Sequence, residues 1–202
     1  ENYYCLPNAV FRISKFKNFK PTKNILFIGM IVEYKGVLGF IEIMKILGPN
    51  GYTLNIVGDF RDEDFERTFK NEIQNHGLND FFYFHGELLG ERKERIFSEC
   101  SILLHPSFED LMPMCFLEAL SIGMPIVSSD LPQFADIFEH GKHGYQVKSS
   151  NWLEFSKGIM EIVESEELYT KFSQNCLDLY EEKYSDKIYA ANLSRLYLNL
   201  KS

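Results

Sequence analysis

The chain between residues 25 and 57 reads ILFIGMIVEYKGVLGFIEIMKILGPNGYTLNIV. A continuous apolar run at 25–31 is followed at 35–47 by apolar residues that recur at helical spacing. The sequence Gly48-Pro49-Asn50-Gly51 interrupts the helical pattern, and a second apolar run follows at 54–57. Because short runs that are apolar throughout are typical of strands buried on both faces, this order predicts two parallel strands joined by a helix.

The same alternation continues along the rest of the chain. Further apolar runs stand at 81–85, 101–105, 125–128 and 145–147. Helical patterns separate them, and three more close the chain, at 151–164, 167–184 and 186–200. We therefore expect an α/β fold, a doubly wound parallel six-stranded sheet with extra C-terminal helices. Residues 25–202 are expected to form one domain, and residues 1–24 a connector. Ligands of such sheets bind beyond the carboxyl ends of the strands.

The net charge of the chain argues against one class of partner, nucleic acid. The chain of 202 residues has 21 Lys and Arg against 29 Asp and Glu, a formal net charge of −8, which disfavours nonspecific nucleic-acid binding. The segment 1–24 has a positive net charge, with five bases against the single acid Glu1. We interpret them as a solvated connector; a peripheral contact with an anionic membrane or a partner is the alternative. The longest apolar run is eight residues, whereas a spanning helix needs about 20, so we expect no membrane span.

The spacing of the cysteines indicates whether the chain has a metal or redox site, and the first residue indicates whether it is part of a longer protein. The four cysteines are Cys5, Cys100, Cys115 and Cys176, and no two of them have the spacing of a metal site or a redox pair. We therefore expect no metal and no cofactor, and a reducing, cytoplasmic setting. Because the chain opens on Glu1 instead of Met, without a signal-like segment, we expect it to be part of a longer protein.

A single charged residue, Glu118, stands in the otherwise uncharged stretch 111–129. A buried carboxylate is costly unless it is hydrogen-bonded. The pattern predicts a helix that begins near Pro113, so the backbone N–H groups of Met114 and Cys115 would form an anion site directly after a strand. A phosphate at the helix start with a hydroxylated sugar beside it would account for Glu118. The alternative is that Glu118 satisfies nearby backbone groups.

Other polar residues lie at the predicted strand ends. Asp110, eight residues before Glu118, is either a ligand-binding residue or a turn residue. Gly29 would let the backbone approach a ligand, and Lys35 would supply a mobile ammonium for phosphate; a merely solvated lysine is the alternative. We interpret His105 as structural. The sequence contains no G-x-G-x-x-G and no G-x-x-x-x-G-K-[ST], so dinucleotide and P-loop functions lose their main support.

Short motifs in a fixed order carry a resemblance to a known family. They are Leu6-Pro7-Asn8-Ala9-Val10, Ile28-Gly29…Lys35-Gly36, Leu54-Asn55-Ile56-Val57-Gly58, Phe84-His85-Gly86, Pro106-Ser107…Asp110…Glu118-Ala119-Leu120, Gly123-Met124-Pro125-Ile126-Val127-Ser128-Ser129-Asp130 and Gly141-Lys142-His143-Gly144. The family patterns, in the same order, are I-P-N-G-V, V-G-R-x-x-x-x-K-G, L-x-I-V-G, F-x-G, P-S-x-x-E-x7-E-A, G-x-P-V-I-A-S-D and G-x-x-G. Over nearly its whole length the chain resembles the C-terminal, nucleotide-sugar-binding domain of the retaining family 4 (group 1) glycosyltransferases of GT-B fold.

The resemblance implies a role for each matching residue. Glu118 falls on the glutamate that holds the ribose hydroxyls, and Asp110 on the one that faces the donor sugar. Lys35 falls on the lysine that neutralises the diphosphate, which the backbone amides of Met114 and Cys115 also receive. Two further substrate-binding positions complete the implied site, at Leu88 beside the base and at Gly29.

Two departures from the family pattern stand out. Asp110 is shorter by a methylene than the usual glutamate and is followed by Leu111 instead of glycine. Met30 occupies the position of an arginine. Loss of that cation would weaken the stabilisation of a departing nucleoside diphosphate unless another cation, such as Arg61, replaces it.

By this resemblance the complete protein is a hexosyltransferase of polysaccharide biosynthesis. It would transfer a sugar from a nucleoside-diphosphate sugar, with retention, to a glycan or lipid-linked acceptor. The acceptor would lie on an N-terminal domain that this chain lacks, so the chain alone is expected to bind the donor and scarcely to catalyse. Membrane association would be peripheral and through that domain. The alternative is a noncatalytic nucleotide-sugar-binding module, which Met30 favours; the pattern of Asp110 and Glu118 disfavours an epimerase of related fold.

Overall fold

The computed structural model describes residues 8–13 and 20–199 of the chain. The sequence motif at Leu6 and Pro7 and the basic residues Lys15 and Lys17 lie outside these ranges, as does Cys5.

Six parallel strands form one sheet in the described part of the chain. They are β1 (Asn24–Ile28), β2 (Thr53–Val57), β3 (Phe82–Phe84), β4 (Ile102–His105), β5 (Ile126–Ser129) and β6 (Gly144–Val147). Their order across the sheet is β3-β2-β1-β4-β5-β6, so the direction of winding reverses between β1 and β4. The predicted doubly wound six-stranded sheet is confirmed.

Helices cover both faces of this sheet and extend beyond it. They are α1 (Gly39–Leu47), α2 (Glu63–Asn75), α3 (Glu91–Glu99), α4 (Met114–Ser121), α5 (Pro132–Ala135), α6 (Trp152–Glu164), α7 (Glu166–Leu179) and α8 (Asp186–Asn199). The last three are the predicted C-terminal helices. Within the described residues, none of the helices is long and apolar enough to cross a membrane.

Two apolar clusters pack on the two faces. Because side chains of a strand alternate between faces, Ile25 and Phe27 of β1 belong to the cluster formed with α1 and α6, and Leu26 belongs to the cluster formed with α3 and α4. All three side chains are almost fully buried. With both faces covered, the loops at the carboxyl edge of the sheet are left to bind ligands.

The loop after β1 is longer than the apolar pattern predicts. The strand ends at Ile28 instead of residue 31, and α1 begins at Gly39 instead of residue 35. Between them lie a single 3-10 turn, Glu33–Lys35, and Gly36 with a left-handed φ of 72°. A Cβ atom at Gly36 would overlap the carbonyl group of Pro106. This contact with the loop after β4 fixes the segment as a loop and places Lys35 at the carboxyl edge.

The helix predicted over 167–184 is also divided. Helix α7 ends at Leu179, and Tyr180–Tyr184 form a wider π turn. The Tyr180 hydroxyl donates to the Val10 carbonyl at 2.9 Å, and the Tyr184 hydroxyl donates to the Ile137 carbonyl at 3.1 Å. These two tyrosines therefore anchor the widened turn to the segment before β1 and to the region after α5.

Candidate functional site

The candidate site lies where the winding of the sheet reverses, beyond the carboxyl ends of β1 and β4. The loops that follow these neighbouring strands are joined by backbone contacts. The Phe108 N–H donates to the Tyr34 carbonyl at 2.8 Å, and the Ser107 hydroxyl donates to the same carbonyl at 3.2 Å. Lys35 and Asp110 are 75 positions apart in sequence, and this junction brings their side chains together.

Asp110 is held as an anion by its neighbours. One carboxylate oxygen, Oδ2, accepts hydrogen bonds from the Lys35 ammonium and from His105 Nε2, the latter at 2.9 Å. The other, Oδ1, accepts the Leu111 N–H at 3.0 Å. Burial acts to raise the pKa of Asp110, but the hydrogen bonds from His105 and Lys35 and the charge of Lys35 outweigh burial and lower the pKa to about 2. Asp110 is therefore a carboxylate at neutral pH.

His105 is 1% exposed and is enclosed by the rings of Phe27, Phe116 and Phe134. Burial lowers the pKa of its imidazole, so the ring is neutral at pH 7. Since the Asp110 carboxylate can only accept, His105 Nε2 carries the proton and donates it, while Nδ1 is an acceptor. Nδ1 faces the Cys115 thiol at 3.9 Å, and burial raises the pKa of that thiol to about 12. The ring thus has one defined tautomer.

Glu118 also has a lysine partner. It lies on α4, and its Oε1 accepts a hydrogen bond from Lys93 Nζ of α3 at 2.6 Å. Both side chains are largely buried, with 16% of Glu118 and 24% of Lys93 exposed. Among the described residues, the side-chain partner of Glu118 is Lys93 and not a backbone group. Oε2 of Glu118 has no hydrogen-bond donor in the described part of the chain and is available to a ligand.

The start of α4 can receive an anion. Pro113 precedes the helix and provides no side-chain cap, and the first backbone N–H groups of a helix have no acceptors within it. Those of Met114 and Cys115 therefore present partial positive charge beyond β4. Met114 also lines a cavity of about 550 Å³, together with Val10 and Tyr189.

A second cavity, of about 440 Å³, lies beyond β1, β2 and β3. We call it the Met30 cavity; its lining includes Gly29, Met30, Asp59, Arg61, Glu87, Leu88 and Lys93. Met30 is 38% exposed, so the position where the family pattern has arginine faces open space. Two cations, Arg61 and Lys93, line the same cavity.

The structure brings the predicted site residues to one edge of the sheet, in two groups. The first comprises Lys35, Asp110 and the start of α4. In the second, Gly29 and Leu88 line the Met30 cavity, and Lys93 joins that cavity to Glu118. What each residue contacts in a ligand stays a prediction.

Two residues of the site were not identified from the sequence. His105, at a strand end before Pro106, was interpreted as structural, and the structure places it buried against Asp110. Gln133 donates its side-chain amide to the Asp110 carbonyl, and Lys93 pairs with Glu118. No spacing in the sequence indicates either contact, because each joins separate elements.

No group of three or more His, Cys, Asp or Glu side chains that could hold a metal ion occurs within residues 8–13 and 20–199. The expectation that the protein uses neither metal nor cofactor stays a prediction.

Comparison with known proteins gives several glycosyltransferases. The chain is 25% identical over 185 residues to an uncharacterized glycosyltransferase of Haemophilus influenzae, covering 90% of this chain and 51% of that protein. It is 26% identical over 166 residues to the processive diacylglycerol alpha-glucosyltransferase of Acholeplasma laidlawii, covering 82% and 48%. The chain spans about half the length, or less, of the curated relatives it matches.

Solved structures share the fold. The C-terminal domain of the glycosyl transferase group 1 family protein LpcC of Francisella tularensis superposes with a TM-score of 0.73 at 21% identity, covering 82% of this chain and 88% of that one. Anabaena Alr3699/HepE in complex with UDP and glucose gives 0.80 at 17% identity, covering 91% and 49%. The family model for group 1 glycosyl transferases matches residues 11–177. The chain therefore belongs to the group 1 glycosyl transferase family.

Proposed function

We propose that the chain is the donor-binding part of a retaining glycosyltransferase that transfers a sugar from a nucleoside-diphosphate sugar to a glycan or lipid-linked acceptor. The observation that carries the proposal is the pair of lysine-bound carboxylates at the carboxyl edge of the sheet. Asp110 lies in the loop before α4, and the lysine that binds Glu118 lines the Met30 cavity. A ligand that combines hydroxyl groups with an anionic centre matches this arrangement.

Each part of a nucleotide sugar has a complementary group in this site. The base would enter the Met30 cavity against Leu88, and the ribose hydroxyls would donate to Oε2 of Glu118. The diphosphate would accept from the backbone N–H groups at the start of α4 and from Lys35. Asp110, released from part of its contact with Lys35, would accept from the hydroxyls of the transferred sugar.

The ligands of structural neighbours support this choice of substrate class. Anabaena Alr3699/HepE was solved in complex with UDP-glucose, and S. aureus TarM with UDP and alpha-GlcNAc-glycerol. At identities of 18% and 19% these structures support the fold of the site and leave the base and the sugar open.

The contribution of this chain to the reaction would be electrostatic. As the bond between the sugar and the diphosphate breaks, negative charge grows on the leaving phosphate, and Lys35 with the α4 backbone would stabilise that charge. Glycosyl transfer also needs an acceptor, and we assign acceptor binding to a domain outside this chain. The isolated chain should therefore bind the donor and turn it over scarcely or not at all.

A second candidate function is a noncatalytic nucleotide-sugar-binding module. The observation that favours it is Met30, which brings a thioether into the cavity where the family pattern has a cation. Such a module would bind the donor but would not promote departure of the diphosphate, even as part of the complete protein.

Thermal unfolding of the chain with UDP, GDP, ADP and CDP, and then with sugars of the preferred nucleotide, tests the proposal. We expect one nucleotide to raise the midpoint, because a ligand that binds only the folded state stabilises it. No shift with any nucleotide at millimolar concentration would contradict donor binding. For the complete protein, sugar transfer with the anomeric configuration read by NMR separates the two candidates: transfer with retention supports the enzyme, and binding without transfer supports the module.

A further inference from the structure

The Met30 cavity has a charge arrangement that the family pattern does not explain. The pattern has two cations for the diphosphate, at positions 30 and 35, and this chain keeps only Lys35. Lys35 is moreover engaged by Asp110. A diphosphate that carries two or three negative charges would therefore meet one shared lysine on this side, unless another cation reaches it.

Lys93 and Arg61 are the cations that line the cavity with Met30. Arg61 is exposed and forms no ion pair with any carboxylate in the described ranges, so a ligand that recruits it must order a long flexible side chain. Lys93 is already ordered. Its ammonium is held by Glu118 Oε1 at 2.6 Å and lies 6.0 Å from the centre of the Phe97 ring. Less conformational entropy is lost when Lys93 binds an anion.

The partner of Lys93 strengthens the case for Lys93 over Arg61. Glu118 is the carboxylate to which we assign the ribose, and in a nucleotide the ribose adjoins the diphosphate directly. A lysine that contacts Oε1 of Glu118 while it lines the cavity is therefore close to both groups. An ammonium has three donors, so Lys93 can keep its bond to Glu118 and donate to a phosphate oxygen as well.

We propose that Lys93 is a specificity-determining residue that supplies the second diphosphate cation, in place of the arginine that Met30 replaces. The inference rests on the proposed function and concerns the same site. It assigns the charge to a different element, α3, so the cation approaches from the side of Glu118 instead of from the loop after β1.

The test compares charge removal with charge retention at position 93. Lys93→Gln keeps a donor for Glu118 but removes the charge, and Lys93→Arg keeps both. Calorimetry would use the tightest of UDP, GDP, ADP and CDP, with its uncharged nucleoside as a second probe. We expect Lys93→Gln to lower the affinity for the nucleoside diphosphate about tenfold or more and the affinity for the nucleoside less than about twofold. Lys93→Arg should retain most of the native affinity for the diphosphate.

A double variant and a matched control sharpen the test. Met30→Arg returns the cation to the family position, so it should raise the affinity more in the Lys93→Gln background than in the native chain. Lys45→Gln is the control, because Lys45 pairs with Glu42 at 2.7 Å on α1 and is not part of the cavity lining. Thermal unfolding of every variant verifies that it is folded.

The outcomes separate the two proposals. Equal losses for the diphosphate and the nucleoside would mean that Lys93 only positions Glu118, and the inference would fail. Unchanged binding in Lys93→Gln, or a gain from Met30→Arg in the native background as large as in the variant, would also overturn it. In each of these cases donor binding itself survives. If the native chain binds none of the four nucleotides, the proposed function fails and the inference fails with it.

Discussion

Replacement of Asp110 by asparagine should change the pH dependence of stability by a predictable amount. His105 and Lys35 lower the pKa of Asp110 from its ordinary 3.8 to about 2. A difference of one pKa unit corresponds to about 1.4 kcal/mol, so ionised Asp110 contributes about 2 kcal/mol to the free energy of unfolding. Because the folded-state pKa is the lower one, this contribution is present above pH 4 and is lost as the pH falls through 2.

Urea unfolding of the native chain and of Asp110→Asn between pH 7 and pH 2 measures this contribution. The stability gap between the two proteins should narrow by about 2 kcal/mol between pH 5 and pH 2, whatever its size at pH 5. Asp64→Asn, which removes an exposed carboxylate paired with Arg67, reports how far an ordinary surface carboxylate alters the same profile. A gap that stays constant down to pH 2 would refute the assignment of Lys35 and His105 as the partners that stabilise the Asp110 anion.

Three further changes test other parts of the site. Glu118→Gln should weaken nucleoside-diphosphate binding by roughly 1–3 kcal/mol in calorimetry, because it loses a charge-assisted hydrogen bond; Glu42→Gln, which also removes a lysine-bound carboxylate, should leave binding intact. Lys35→Met should weaken binding of the nucleoside diphosphate more than binding of the nucleoside. Equal losses would show that the phosphates do not bind at the loop after β1. Gly36→Ala should lower the free energy of unfolding by more than about 1 kcal/mol, through its left-handed φ and its overlap with Pro106; a stability equal to that of the native chain would show that the loop adapts.

The sequence predicted the architecture well because each strand is an apolar run that the sheet buries on both faces. It was wrong about where β1 ends and where α1 begins. Residues 29–31 continue the apolar run of the strand, and Val37 and Leu38 fit the helical pattern, but the close approach of Gly36 to Pro106 holds this segment as a loop. Such a contact joins positions 70 apart, and a local pattern contains no information about it.

The candidate site could be predicted only in part, and for a related reason. Asp110, Glu118 and Lys35 were identified because each stands at a strand end or alone in an apolar stretch. Their partners are set by tertiary packing: Lys93 is one of several charged residues on α3, and only the approach of α3 to α4 selects it for Glu118. The contact between His105 and Asp110 was not predicted either, because the sequence does not show that the His105 ring is buried among phenylalanine rings with Nε2 facing Asp110.

The two lysine–carboxylate pairs have a consequence for the kinds of anion that the site binds. Lys35 and Lys93 each already have a carboxylate partner, so an incoming anion must share the ammonium with that carboxylate or compete with it. A simple anion such as chloride brings no hydrogen-bond donor for the carboxylate. A sugar phosphate would bring hydroxyl groups that can donate to the carboxylate while the lysine donates to the phosphate. On the proposed function, we therefore expect the site to discriminate against simple anions that lack such donors.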